Sequence, residues 1–111
     1  MKYIVHRNKW IWGRTWVIMC EDGSGIIKIS QDEDDGVVLS GLSVLPEFRH
    51  KGIGESLVRE AERIVRNEIG DEEICLCVES WNKDLISWYT KLGFSVYDYD
   101  KDYTDLILVN Y

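Results

Sequence analysis

The apolar residues of this chain first change their spacing between residues 45 and 53, and that change limits what the chain can fold into. Beyond it, Ile53, Leu57, Val58, Ala61, Ile64, Val65 and Ile69 recur at intervals of mostly three and four, and Glu55, Arg59, Glu62, Arg63 and Arg66 fall largely off that stripe. This is the period of one amphipathic helix. Gly70 suits its end, where a left-handed residue closes the last turn. Before the change, β-branched and aromatic residues come in short runs parted by the turn sequences Glu21–Gly25 and Gln31–Gly36. Strands are expected over residues 2–7, over 10–20 with an interruption at Gly13, over 26–30 and over 37–44. Antiparallel hairpins therefore fill the first 45 residues.

After the helix, Ile74–Val78 is a continuous apolar run, the pattern of a strand covered on both faces. A second helix is expected from Asn82 to Leu92, carrying Leu85, Ile86, Tyr89 and Leu92, with Gly93 as its stop. Phe94–Tyr99 and Tyr103–Val109 read as a final hairpin. Alternating strands and helices in this half require right-handed crossovers. The predicted class is α+β, a mixed and mostly antiparallel sheet with two crossover helices. With 111 residues, one domain over 1–111 can build a single core.

Charge and cysteine content narrow the partners. A net charge of −7 disfavours a nucleic-acid backbone and mildly favours a cationic partner such as an amine. No apolar run approaches the roughly 20 residues that span a bilayer. The N-terminal residues lack the apolar core of a signal peptide, so a cytoplasmic location is expected and no membrane partner. Cys20, Cys75 and Cys77 are odd in number and lack CxxC spacing. They read as buried small hydrophobes in a reducing compartment, and no metal is expected.

The junction between the two periods carries the chemistry. Leu42-Ser-Val-Leu-Pro-Glu-Phe-Arg-His-Lys-Gly-Ile-Gly54 leaves a strand at the only proline and enters the helix through two glycines. Amides at such a helix start can receive an anion. GxxxxGK[ST] is absent, and the dinucleotide pattern GxGxxG fails because Leu57 stands where its third glycine belongs. Arg49-x-x-Gly52-x-Gly54 remains, with the amides of His50 to Glu55 as donors and Lys51 adding charge. By themselves these residues also fit a plain strand-to-helix turn.

Two motifs in order resolve that choice. Val44-x-Pro46-x-x-Arg49-x-x-Gly52-x-Gly54, and Asn82 with Leu85, Trp88-Tyr89 and Gly93-Phe94, resemble the GNAT-type N-acetyltransferases over about residues 25–111. The resemblance implies an acyl-CoA N-acyltransferase-like fold and acetyl-CoA as the acyl donor, released as CoA. It implies that Leu42, Ser43 and Val44 pair with the pantetheine arm, and that Arg49, His50, Lys51, Gly52, Ile53, Gly54 and Glu55 form the pyrophosphate loop. Asn82 would contact pantetheine, and Tyr89 would lie by the sulfur and protonate the leaving thiolate. A bulge is expected near Ser40-Gly41.

Relatives commonly carry a carboxylate five residues before the Asn, where this chain has Cys77. Glu79, two residues on and on the same strand face, is the candidate base; Glu21, Asp22, Glu33 and a water relay are alternatives. Relatives also usually begin with a strand and two helices that wall the acceptor pocket, and this chain has no room for them ahead of its hairpins. The acceptor side is then open, or completed by a second subunit in a homodimer. Trp10, Trp12 and Trp16, expected on one face with Arg14, serve packing, an interface or the acceptor. The implied function is acetyl transfer to a primary amine on a small molecule or protein. The alternative is a non-catalytic acyl-CoA-binding or protein-interaction module.

Overall fold

The structure, a computed structural model, describes residues 2–70 and 73–109. Seven strands form one sheet: β1 (Tyr3–Lys9), β2 (Gly13–Cys20), β3 (Gly25–Asp32), β4 (Gly36–Val44), β5 (Glu73–Glu79), β6 (Ser95–Tyr99) and β7 (Tyr103–Val109). Their order across the sheet is β1-β2-β3-β4-β5-β7-β6. Helix α1 (Ile53–Ile64) links β4 to β5, and α2 (Lys83–Lys91) links β5 to β6. Among the described residues only the β4–β5 pairing is parallel. The expected mixed, mostly antiparallel architecture is the one observed.

Both crossovers step across the sheet in the same direction. Right-handed connections then place both helices on one face. Burial follows that geometry. Trp16, Ile18, Ile27, Ile29, Val37, Leu39, Ile74, Leu76, Val78 and Leu106 are buried with Leu57, Val58, Ala61, Ile64 and Val65 of α1. The alternate residues Ile26, Lys28, Ser40, Cys75 and Cys77 are partly or fully exposed. The opposite face has no helix on it among the described residues. The expectation of a β5 covered on both sides is corrected here, since Ile74, Leu76 and Val78 are buried while Cys77 is exposed. Apolar size at alternate positions cannot report which face a helix will reach. The buried reading of the cysteines holds for Cys20 but not for Cys77.

Helix α1 passes into a π-helical turn, Val65–Ile69, and stops at Gly70 with φ 78°. This turn sets Glu68 against the first hairpin. Its carboxylate accepts from Arg7 Nε (2.8 Å), Arg7 Nη2 (2.6 Å) and Trp16 Nε1 (3.2 Å). The Arg7 guanidinium holds the Glu68 carboxyl below its usual range. A lowered carboxyl stabilises the fold above the unfolded-state value and loses that contribution as pH falls through the folded one. Glu68→Gln is expected to cost about 1 kcal/mol at pH 7, since the pair is partly exposed, and to lose less stability than the wild type during acid titration. Urea unfolding at pH 7 and pH 4 checks this. Leu57→Ala, at a fully buried site, should cost about 2–5 kcal/mol in the same assay.

The tryptophans divide. Trp16 is 3% exposed in the core. Trp10 and Trp12 stack at 5.2 Å in the β1–β2 turn, with Ile11 fully exposed between them. They do not share a face with Trp16, because Gly13 begins β2 and Trp10 closes the turn onto the Gly13 carbonyl (2.7 Å). This tip lies at the β4 N-terminal end of the sheet, away from the glycine loop. A strand does open the fold, and it runs into β2 through this turn with no helix between them.

Candidate active site

Among the described residues, strand β4 registers with β5 at one position, Val38 opposite Cys75. Past it the two strands part. On its other side β4 stays paired with β3, but between Lys28–Ser40 and Ile26–Ser43 it carries one residue more than its partner. Gly41, at φ 65°, occupies that bulge, as expected for Ser40-Gly41. A bulge adds local twist, which turns the end of β4 away from its neighbour.

The last β4 residues face this opening. Leu45 donates its N–H to the Ser24 carbonyl (2.9 Å), so strand alternation turns the N–H and C=O of Val44 away from β3. Arg49 Nε donates to the Val44 carbonyl (3.0 Å). The Val44 N–H is left facing the gap. Arg49 thus folds back on the strand and fixes the loop that follows it.

In that loop His50 has φ 63° and Gly52 has φ 81°. Gly52 is the N-cap of α1, and the first helical bond runs from Ser56 N–H to Gly52 O (3.0 Å). The six amides from His50 to Glu55 therefore close no helical turn, and a helix start leaves such donors for a ligand. Lys51 lies over Phe48 at 5.7 Å and adds a cation beside them. The two glycines do different work. A side chain at Gly52 would meet open space but a strained backbone, whereas a Cβ at Gly54 would come within 3.3 Å of Trp88. Gly54 lets α1 approach α2. A diphosphate fits this cradle, which offers uncovered amides, a nearby cation and no side chain over Gly52.

Helix α2 carries the second motif against the start of α1, where Trp88 lies beside Gly54. Asn82 caps it, its side chain accepting from the Leu85 N–H (3.3 Å). Tyr89, 6% exposed, is held edge-on between Trp88 (4.9 Å) and Phe94 (5.5 Å). Burial pushes its phenol up to about 12. Arg59 Nη2 donates to the Leu92 carbonyl (2.9 Å) and ties the end of α2 to α1.

Val44, Gly54 and Trp88 meet where α1 starts, a Cβ at Gly54 lying 3.3 Å from Trp88 and 3.9 Å from Val44; Leu42 and Ser43 precede Val44 on β4, Asn82 caps α2, and Tyr89 is buried beside Trp88. Glu79 is exposed at the end of β5, opposite Tyr103. Among the described residues no three His, Cys, Asp or Glu side chains gather as a metal site. Asp105 escaped the sequence reading. It sits directly across from Cys77 on β7 and accepts from its thiol, which partial burial and this carboxylate push up, so the thiol stays protonated. The register of β5 against β7 brings the two together, and no local sequence signal reports it.

A bulged strand parting from its parallel neighbour, with a glycine loop at a helix start beside it, is an arrangement that acetyltransferase folds share. The chain belongs to the acetyltransferase (GNAT) family, whose sequence pattern it matches over residues 3–94. It is 42% identical over 59 residues to a spermidine N(1)-acetyltransferase of Thermoplasma acidophilum, a match covering 53% of this chain and 36% of that protein. The solved PaiA N-acetyltransferase of the same organism, in complex with coenzyme A, superposes with a TM-score of 0.72 at 29% identity, over 86% of this chain and 59% of that one. A Bacillus subtilis acetyltransferase in complex with CoA shares the fold at full length, with a TM-score of 0.75 and 16% identity over 99% and 100% of the two chains. The chain spans well under two thirds of the spermidine enzyme's length.

Proposed function

We propose that this chain, as one GNAT unit, moves an acetyl group from acetyl-CoA to a primary amine. The observation that supports this reading is the bulged end of β4, which among the described residues registers with β5 only at Val38–Cys75, followed by a glycine loop at the start of α1. In this reading the amides of His50 to Glu55 hold the pyrophosphate, and the backbones of Leu42, Ser43 and Val44 hold the pantetheine arm beside Asn82. Holding both reactants in one cleft supplies proximity. The Val44 N–H polarises the thioester oxygen. Tyr89, neutral throughout the physiological range, gives its proton to the departing sulfur. The amine proton leaves toward Glu79, directly or through water.

Thiol release from acetyl-CoA with a panel of amines and peptides tests the reading. CoA at a hundredfold excess over its Kd should stabilise the fold by about 2.7 kcal/mol. Cys77, standing where relatives carry a carboxylate, favours a second reading as a non-catalytic acyl-CoA-binding module. CoA stabilisation without thiol release for any acceptor would establish that one. Neither effect would remove both.

A further inference from the structure

The sheet face away from α1 carries a pocket of about 330 Å³ at the end of β4. Ile4 of β1, Met19 of β2, Ile26 of β3 and Leu45 wall it, with Ser43 at one side and Glu21 of the β2–β3 turn at another. Its volume is that of a small-ligand site. Neighbouring glycines fix which way it faces. A Cβ at Gly25 would meet Leu57 and Ile53 of α1, so Ile26 points to the opposite face, and Ser43, paired with Ile26, points with it. Ile4 and Leu45 remain 43% and 45% exposed because no helix covers them.

We infer that this pocket receives the body of the acceptor, and that the acceptor is a primary amine carried by a bulky apolar group. This rests on the acetyl-transfer reading. Loop residues on the α1 side take the donor, so the acceptor must reach the gap from the uncovered face. Ser43 lies between Leu42 and Val44, so a group seated in the pocket keeps its amine beside the strand that holds the thioester. There the amine nitrogen bonds the acetyl carbon as the carbon–sulfur bond breaks. One proton leaves the nitrogen and one reaches the sulfur. The walls favour hydrocarbon, since Ile4, Met19, Ile26 and Leu45 line the pocket with one carboxylate, Glu21, and two serines, Ser24 and Ser43. A polyamine, with a charge every few atoms, would place cations against those walls and leave them without partners. Glu21 draws a cationic amine toward the rim together with the adjacent Asp22, whose carboxylate accepts from the Ser24 N–H (2.9 Å) and is held below its usual range.

Butylamine, hexylamine, octylamine and spermidine serve as probes. KM for thiol release should fall roughly threefold per added methylene along the alkylamines until the pocket is filled, and spermidine should have the highest KM. Met19 is one of two methionines, so a ¹³C-methyl methionine label gives a direct binding signal that needs no turnover. Octylamine should shift the Met19 methyl resonance with CoA bound. Met19→Glu should raise the octylamine KM about tenfold or more, with the Kd for CoA unmoved. A KM that is flat across the alkylamines, a spermidine KM below that of octylamine, or an unmoved Met19 signal at saturating octylamine overturns the assignment. Absence of CoA binding or of thiol release with every amine would instead sink the acetyl-transfer reading, and the Met19 shift would still decide the pocket.

Discussion

Tyr89→Phe is expected to lower kcat for acetyl transfer by about 10²-fold or more while leaving the Kd for CoA within roughly a factor of two. The ring is what Trp88 and Phe94 pack against, and phenylalanine keeps it. Only the proton donor is lost. The same substitution separates chemistry from stability through pH. A phenol raised to about 12 favours its neutral form in the folded state. Its contribution is present below the unfolded value of about 10 and disappears as pH climbs through 12, a loss of roughly 3 kcal/mol. The wild type should therefore lose stability between pH 10 and 12 faster than the phenylalanine variant. Equal kcat in the two proteins would remove Tyr89 from the mechanism, and identical alkaline unfolding would contradict its burial.

Gly52→Val should weaken CoA binding by about 10²-fold with only a modest change in melting temperature. The backbone there sits at φ 81°, which a β-branched residue adopts at a cost of roughly 1–2 kcal/mol or more. No neighbouring atom would obstruct the new side chain, so the fold itself is not blocked. Relief of the strain turns the His50–Glu55 amides out of their common direction. Gly70 supplies the control. It has φ 78°, equally open surroundings, and lies at the far end of the α1 segment. Gly70→Val should show a similar thermal loss and an unchanged Kd in calorimetric titration with CoA. If both variants bind CoA like the wild type, the loop is not where the diphosphate is held.

Much of this architecture is legible in the sequence, because the elements that form it obey local rules. Spacing of three and four locates α1, Asn82 marks the start of α2, and Gly41 marks the bulge. What escaped prediction depends on long-range placement. Ile74–Val78 gives no sign that its odd-numbered cysteines face away from both helices. Trp10 and Trp16 look like one aromatic stripe until Gly13 starts a new strand. The functional loop was readable because its glycines stand in register with a proline and an arginine, yet the separate duties of Gly52 and Gly54 emerge only once Trp88 is seen beside the latter. Asp105 is 28 residues from Cys77, and only strand pairing makes them neighbours.

The single rung between Val38 and Cys75 has a mechanical consequence. Strands β1–β4 form one antiparallel ribbon and β5, β7 and β6 another, joined by that rung and by the helical crossover. The wedge between the ribbons has little backbone stitching of its own, so a pantetheine chain lying in it acts as a splint. The Val44 amide, which faces away from β3, should then exchange with deuterium quickly in the free protein and slowly once CoA is bound, while those at the centre of β2–β3 barely respond. If the acetyl-transfer reading holds, filling the wedge with the donor would set how rigid a surface the incoming amine meets.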